Sequence, residues 1–121
     1  MGICYNYFMF TNPIKNLIAL GLRENDIVAD LGAGTGFYSV AAGHFVPQGK
    51  VYAVEIIKDF LATIKHKVKE SHLHNVEIIW GDVEKPNGTK LRENSIDFVF
   101  LCNVLFQFEN KKNVIKEIKR I

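Results

Sequence analysis

Cysteine is scarce: Cys4 and Cys102 are the only two in 121 residues. They stand in unlike surroundings, so they supply neither a disulfide frame nor a metal site, and no metal is expected. A reducing, cytoplasmic setting is the default for such a chain. The three prolines, Pro13, Pro47 and Pro86, all fall where regular structure should begin or end. No apolar run approaches the roughly 20 residues that cross a bilayer, and the aromatic N-terminus lacks the basic region and long apolar stretch of a signal peptide. Met1-Gly2 followed by Cys4 falls short of an acylation signal, because Asn6 stands where serine or threonine is needed. An excess of one charge is missing too: 15 basic and 13 acidic residues leave a formal charge of +2. The densest basic group, Lys65, Lys67 and Lys69, reads as a solvated helix face. With no basic groove and no aromatic platform, neither nucleic acid nor a membrane is an expected partner.

Glycine, by contrast, is concentrated in one place. Ile27 to Leu31 is a short apolar run suited to a strand buried on both faces, and from Phe37 the apolar spacing turns helical through Val40, Ala41 and Phe45. Between them stand Gly32, Gly34 and Gly36. Such a turn reaches dihedrals closed to other residues and lets a ligand approach the main chain without meeting a Cβ. Strand, glycine turn and helix describe the first βα unit of a Rossmann-like fold, with its ligand across the carboxyl ends of the strands. A dinucleotide fingerprint would place a third small residue where Phe37 stands, which argues against a nicotinamide-dependent oxidoreductase.

What stands instead is Asp30-x-Gly32-x-Gly34-x-Gly36, which resembles motif I of the class I S-adenosylmethionine-dependent methyltransferases. Val51 to Glu55 is similar to that family's second strand, Val76 to Trp80 with Gly81-Asp82-Val83 to its third strand and Gly-Asp pair, and Ser95 to Leu105 to its fourth strand and following loop. The resemblance implies S-adenosyl-L-methionine as cofactor. Asp30 would order the glycine loop and the methionine amine. Gly32, Gly34 and Gly36 would form the loop, Glu55 would take the ribose diol with Ile56 beside it, and Asp82 and the Val83 amide would meet the adenine. Cys102 and Asn103 would offer carbonyls to the methionine end.

Along the chain, Met1 to Asn12 forms an N-terminal arm, packed on the core or folded as a flap over the cofactor. Pro13 opens a helix with Ile14, Leu17, Ile18 and Leu22 on its apolar side, reaching Gly21 or Leu22. Further helices are expected from Phe37 to near Phe45, from Lys58 to Ser71, and from Asn110 as a cap onward, with Val114, Ile115, Ile118 and Ile121 sharing a face. Strands are expected at Lys50 to Glu55, Asn75 to Trp80 and Ile96 to Leu101. Glu84 to Asn94 reads as a loop with at most one helical turn over Thr89 to Arg92. The whole is a single α/β domain with a doubly wound parallel sheet, in the family order 3-2-1-4.

Compared with the family, the chain stops before strands five to seven. The outer edge of strand four would then lack a partner, leaving a truncated product, a fragment, or an edge covered by a second chain or a homodimer. Methyl transfer from a sulfonium needs alignment and exclusion of water more than acid–base chemistry, and no catalytic base stands out. His44, His66, His72 and His74 fall on helices or in a polar turn, and Tyr7 and Asn103 are only candidate acceptor contacts. The expected activity is methyl transfer to a small-molecule acceptor. The alternative is a cofactor-binding module that is catalytically incomplete without a partner chain.

Overall fold

The structure, a computed structural model, describes residues 12–102 and 107–121. Helix α1 (Pro13–Ala19) leads into β1 (Ile27–Leu31), α2 (Phe37–Phe45), β2 (Lys50–Glu55), α3 (Lys58–Glu70), β3 (Val76–Trp80), β4 (Phe98–Phe100) and α4 (Lys111–Arg120). The strands form one parallel sheet in the order β3-β2-β1-β4, as the sequence predicts. Register brings Leu31 beside Val54 and Glu55 beside Trp80, so the carboxyl ends of β1, β2 and β3 come level.

The near-continuous apolar strands follow from burial on both faces. Val28, Val51, Phe98 and Phe100 pack with Leu17, Tyr38 and Ala42 of α1 and α2, and Ala53 packs with Ile64 and Val68 of α3. On the opposite face Ala29, Leu31, Val54 and Val99 meet Val114 and Ile118 of α4, joined by Val83 and Leu91 from the loop after β3. Phe98, Val99 and Phe100 are 4%, 0% and 0% exposed. Their side chains are therefore covered, and what stays open on β4 is its backbone edge: among the described residues it pairs with β1 alone.

Several boundaries differ from the expectations. Helix α1 ends at Ala19, where the Leu22 amide folds back onto the Leu17 carbonyl and closes the last turn. Ile14 and Ile18 are exposed, and only Leu17 of that helix is fully buried. Asn12, the last residue of the expected arm, caps the helix: its side chain accepts the Ile14 amide at 3.0 Å. The rest of the expected arm lies outside the described residues. β4 is three residues long because the amides before it are used elsewhere. Those of Ser95 and Ile96 donate to the Ile121 carbonyl, and Asp97 Oδ2 accepts the Ile27 amide at 2.8 Å.

The segment after β3 is a loop, as the sequence suggests, and holds no helical turn over Thr89 to Arg92. Positions 83–94 run as successive turns, with Asn87, Lys90 and Asn94 in the left-handed region. Glu117 of α4 holds this loop. Its carboxylate, 3% exposed, accepts the Thr89 hydroxyl at 2.7 Å, the Asn87 and Thr89 amides, and Arg120 Nη2 at 2.6 Å. Gly88 fits only because it has no side chain, since a Cβ there would lie 1.7 Å from the Asp82 carbonyl oxygen.

Candidate functional site

After β1 the chain turns on three glycines with φ of +70°, +58° and +83° at Gly32, Gly34 and Gly36. A side chain at these positions would be strained. The amides of Gly32 and Ala33 both donate to the Val54 carbonyl, stitching the turn to the end of β2. The next amide, of Gly34, donates to Glu55 Oε2 at 2.8 Å. Glu55 Oε1 accepts the amides of Ile56 and Ile57 at 2.9 and 3.0 Å. Three backbone donors thus fix one carboxylate at the end of its strand. The end of β3 is tied to it in turn: Trp80 Nε1 donates to the Ile56 carbonyl at 2.9 Å, and Lys90 Nζ donates to the Trp80 carbonyl at 2.6 Å.

Asp82 follows in a turn closed on itself, Oδ1 accepting the Glu84 amide at 3.0 Å. The Glu84 carboxylate accepts the Asn110 amide at 2.6 Å, and its carbonyl accepts Asn113 Nδ2, so the loop is anchored to the start of α4.

These groups enclose a cleft of about 310 Å³ at the carboxyl ends of β1, β2 and β3, the place where a sheet of this kind binds its ligand. Gly32, Gly34, Glu55, Ile56, Asp82 and Val83, all expected from the sequence, line it. Asp30 lies buried behind the turn, its Oδ2 accepting the Ser39 hydroxyl at 2.6 Å. The Asp30 carboxyl is held at about 6, raised chiefly by burial and to a lesser degree by the Glu55 charge, against the lowering hydrogen bond from Ser39. Gly36 is the buried N-cap of α2, packed on Ile64, and does not line the cleft. Cys102 is half-buried with its side chain against the α1–α2 core, also away from the lining. Asn103 and Tyr7 lie outside the described residues.

Sequence reasoning missed other members of the lining, namely Ile57, Phe60, Glu84, Gln107 and Phe108. Phe60 carried a signal, being an apolar residue in the first turn of the helix that follows the strand-end carboxylate. Gln107 and Phe108 carried none, because they stand outside any periodic segment. None of the histidines lines the cleft. His66 pairs with Glu70 at 3.2 Å on the exposed side of α3, and His44, His72 and His74 are exposed.

Among the described residues the lining contains three carboxylates, Glu55, Asp82 and Glu84, and no lysine or arginine. A pyrophosphate would face negative charge here with no cation beside it, and the Gly34 amide that could receive it is already bonded to Glu55. A ligand rich in hydrogen-bond donors and carrying positive charge fits instead. A Cβ built on Gly34 would meet nothing within 4 Å, so that edge of the turn faces open space. The half-exposed side chains of Ile56 and Ile57 supply apolar surface to the cleft. Among the described residues no group of His, Cys, Asp and Glu is arranged to hold a metal ion.

Comparison with known proteins agrees with this geometry. A family model described as a methyltransferase domain matches residues 29–121. The chain is 30% identical over 86 residues to a probable cobalt-precorrin-6B C(15)-methyltransferase of Methanosarcina mazei, covering 71% of this chain and 47% of that protein. It is 31% identical over 103 residues to a demethylmenaquinone methyltransferase of Geobacillus stearothermophilus, covering 84% of this chain and 43% of that protein. It therefore spans a little under half the length of these relatives. Among solved structures, a SAM-dependent methyltransferase from Aquifex aeolicus superposes with a TM-score of 0.83 at 31% identity, over 90% of this chain and 57% of that one. The chain belongs to the class I S-adenosylmethionine-dependent methyltransferases, and its described residues form that family's Rossmann-like sheet in the order 3-2-1-4 with the strand-end cleft.

Proposed function

We propose that the cleft binds S-adenosylmethionine through the residues named above and that the protein transfers its methyl group to a small-molecule acceptor. The observation that carries the reading is the lining itself, which among the described residues has three carboxylates and no cation at the level ends of three parallel strands. When bound, the cofactor supplies a methyl group already activated by a sulfonium. The chain's own residues hold and orient. Glu55, fixed by three amides, offers its remaining lone pairs to a ribose diol. Asp82 accepts an exocyclic amine, and Ile56, Val83 and Phe60 exclude water from the ring. Asp30 ties the end of β1 to the first turn of α2 through Ser39 and places negative charge behind the glycine turn. Alignment of donor and acceptor in a dry site supplies most of what an in-line displacement needs.

A small-molecule acceptor is supported by the two curated relatives, whose names specify a cobalt-precorrin and a demethylmenaquinone. The formal charge of +2 adds no argument for a nucleic-acid acceptor. The test is incubation with methyl-labelled S-adenosylmethionine and a fractionated cell extract. Label in the low-mass fraction is expected; label confined to RNA or protein, or no transfer at all, would contradict the proposal.

A further inference from the structure

The sheet ends on β3 at the side away from β4, and there α3 and β3 enclose a second, larger concavity of about 780 Å³. Its floor is apolar, made by Leu61, Val68, Leu73, Val76, Ile78 and Trp80. Its rim is basic: Lys65 and Lys69 run along the helix, His72 and His74 stand where β3 begins, and among the described residues no carboxylate lines it. At the far end the Trp80 ring lies between two more cations, Lys58 Nζ at 5.7 Å and Lys90 Nζ at 5.0 Å from its centroid. The nearby acids are turned elsewhere. Glu70 pairs with His66, and Glu77, on the opposite face of β3, pairs with Lys50 at 2.6 Å.

The backbone adds a second, independent feature. The Val51 amide donates to the Asn75 carbonyl and the Gly81 amide to the Glu55 carbonyl. In a parallel ladder this alternation turns odd-numbered residues of β3 toward β2 and leaves Val76, Ile78 and Trp80 facing outward. Lys90 occupies the Trp80 carbonyl. Among the described residues β3 pairs with β2 alone, so the amides and carbonyls of Val76 and Ile78 face the open edge above the groove.

We propose that this edge receives an extended, acidic polypeptide segment as an added strand, with alternate apolar side chains in the groove and carboxylates at both ends. Main-chain hydrogen bonds to Val76 and Ile78 would give the segment its direction, the apolar floor would select alternate side chains, and the cations at either end would set the register. A concave groove beside an unpaired strand suits a peptide better than a lipid surface, which offers no backbone groups to the edge. The proposal is independent of the cofactor cleft.

The probe is the labelled heptapeptide Glu-Glu-Val-Thr-Ile-Glu-Glu, followed by fluorescence anisotropy and by the amide resonances of Val76 and Ile78. Saturable binding is expected, with both amides shifted. Affinity should fall at least tenfold for the double variant Lys65→Glu with Lys69→Glu, for the peptide with lysines in place of glutamates, and for the peptide N-methylated at alternate residues. An unchanged circular-dichroism spectrum and urea unfolding midpoint of the double variant show that it is folded. Failure of the acidic peptide to bind, equal binding of the basic peptide, or indifference to N-methylation would overturn the proposal. So would binding of phosphatidylserine vesicles in place of the peptide.

Discussion

The Glu55 carboxylate and the Gly34 backbone amide meet at 2.8 Å across the gap between the ends of β2 and β1. This contact joins the two motifs of the cleft, and it depends on the left-handed φ of +58° at Gly34. Gly34→Ala is expected to cost about 1 kcal/mol of stability through backbone strain alone, since the new methyl meets nothing within 4 Å. The same methyl would project into the ligand's space. Loss of S-adenosylhomocysteine affinity should therefore be more than tenfold, well beyond the stability change. Urea unfolding and a binding titration on the one variant separate the two effects.

Asp30 gives stability a pH dependence opposite to that of most carboxylates. Its carboxyl, raised by burial from 3.8 to about 6, binds its proton more tightly folded than unfolded. Its contribution is full below about 4 and is lost as pH rises through about 6. On the order of 2–3 kcal/mol is at stake, because each tenfold gain in proton affinity on folding is worth about 1.4 kcal/mol. Asp30→Asn keeps an oxygen to accept the Ser39 hydroxyl and cannot ionise, so it should flatten the denaturation midpoint between pH 4 and 6 and stabilise the chain above that range.

The pair of Glu117 and Arg120 works with the reverse sign. Burial acts to raise the Glu117 carboxyl, but the hydrogen bonds from Arg120 and Thr89 outweigh it and hold the group at about 2. That contribution is present above about 4.5 and is lost as pH falls toward 2. Removing one partner leaves a buried charge or unpaired donors, so Arg120→Met should destabilise by about 3 kcal/mol. Glu117→Gln should also loosen the loop carrying Asp82. Urea midpoints at pH 7 and pH 3 check both, with a smaller difference between wild type and variant at the lower pH.

Trp80 is the single tryptophan of the chain, and its indole donates to the carbonyl of Ile56 in the cleft wall. Occupation of the cleft should therefore change its fluorescence. Phe60→Ala should leave the emission of the free protein unchanged and weaken the ligand-induced change in proportion to affinity, read from the same titration.

Much of the fold is legible in the sequence for physical reasons. β1 and β2 are buried on both faces, so their apolar runs have sharp ends, and the run from Lys50 to Glu55 coincides with the strand. The glycine turn is legible because three positive φ angles demand glycine. β4 is shorter than its apolar run, since hydrophobicity at Ile96 and Leu101 reports burial and says nothing of where an amide donates; the Ser95 and Ile96 amides go to Ile121. Glu117 is hidden in the sequence because an acid on an amphipathic helix looks solvated until its partners, Thr89 and Arg120, are brought round by the fold. The placing of Cys102 against the core follows neither from its neighbours nor from its motif position.

Calorimetric titration of the chain with S-adenosylhomocysteine, beside Glu55→Ala and Asp82→Ala, measures whether Glu55 organises the cofactor cleft. One-to-one saturable binding is expected, weakened about thirtyfold by loss of the Glu55 carboxylate, which corresponds to about 2 kcal/mol for a charge-assisted hydrogen bond. Asp82→Ala should weaken it by a smaller factor. No binding by the folded chain, or binding indifferent to Glu55→Ala, would contradict that role.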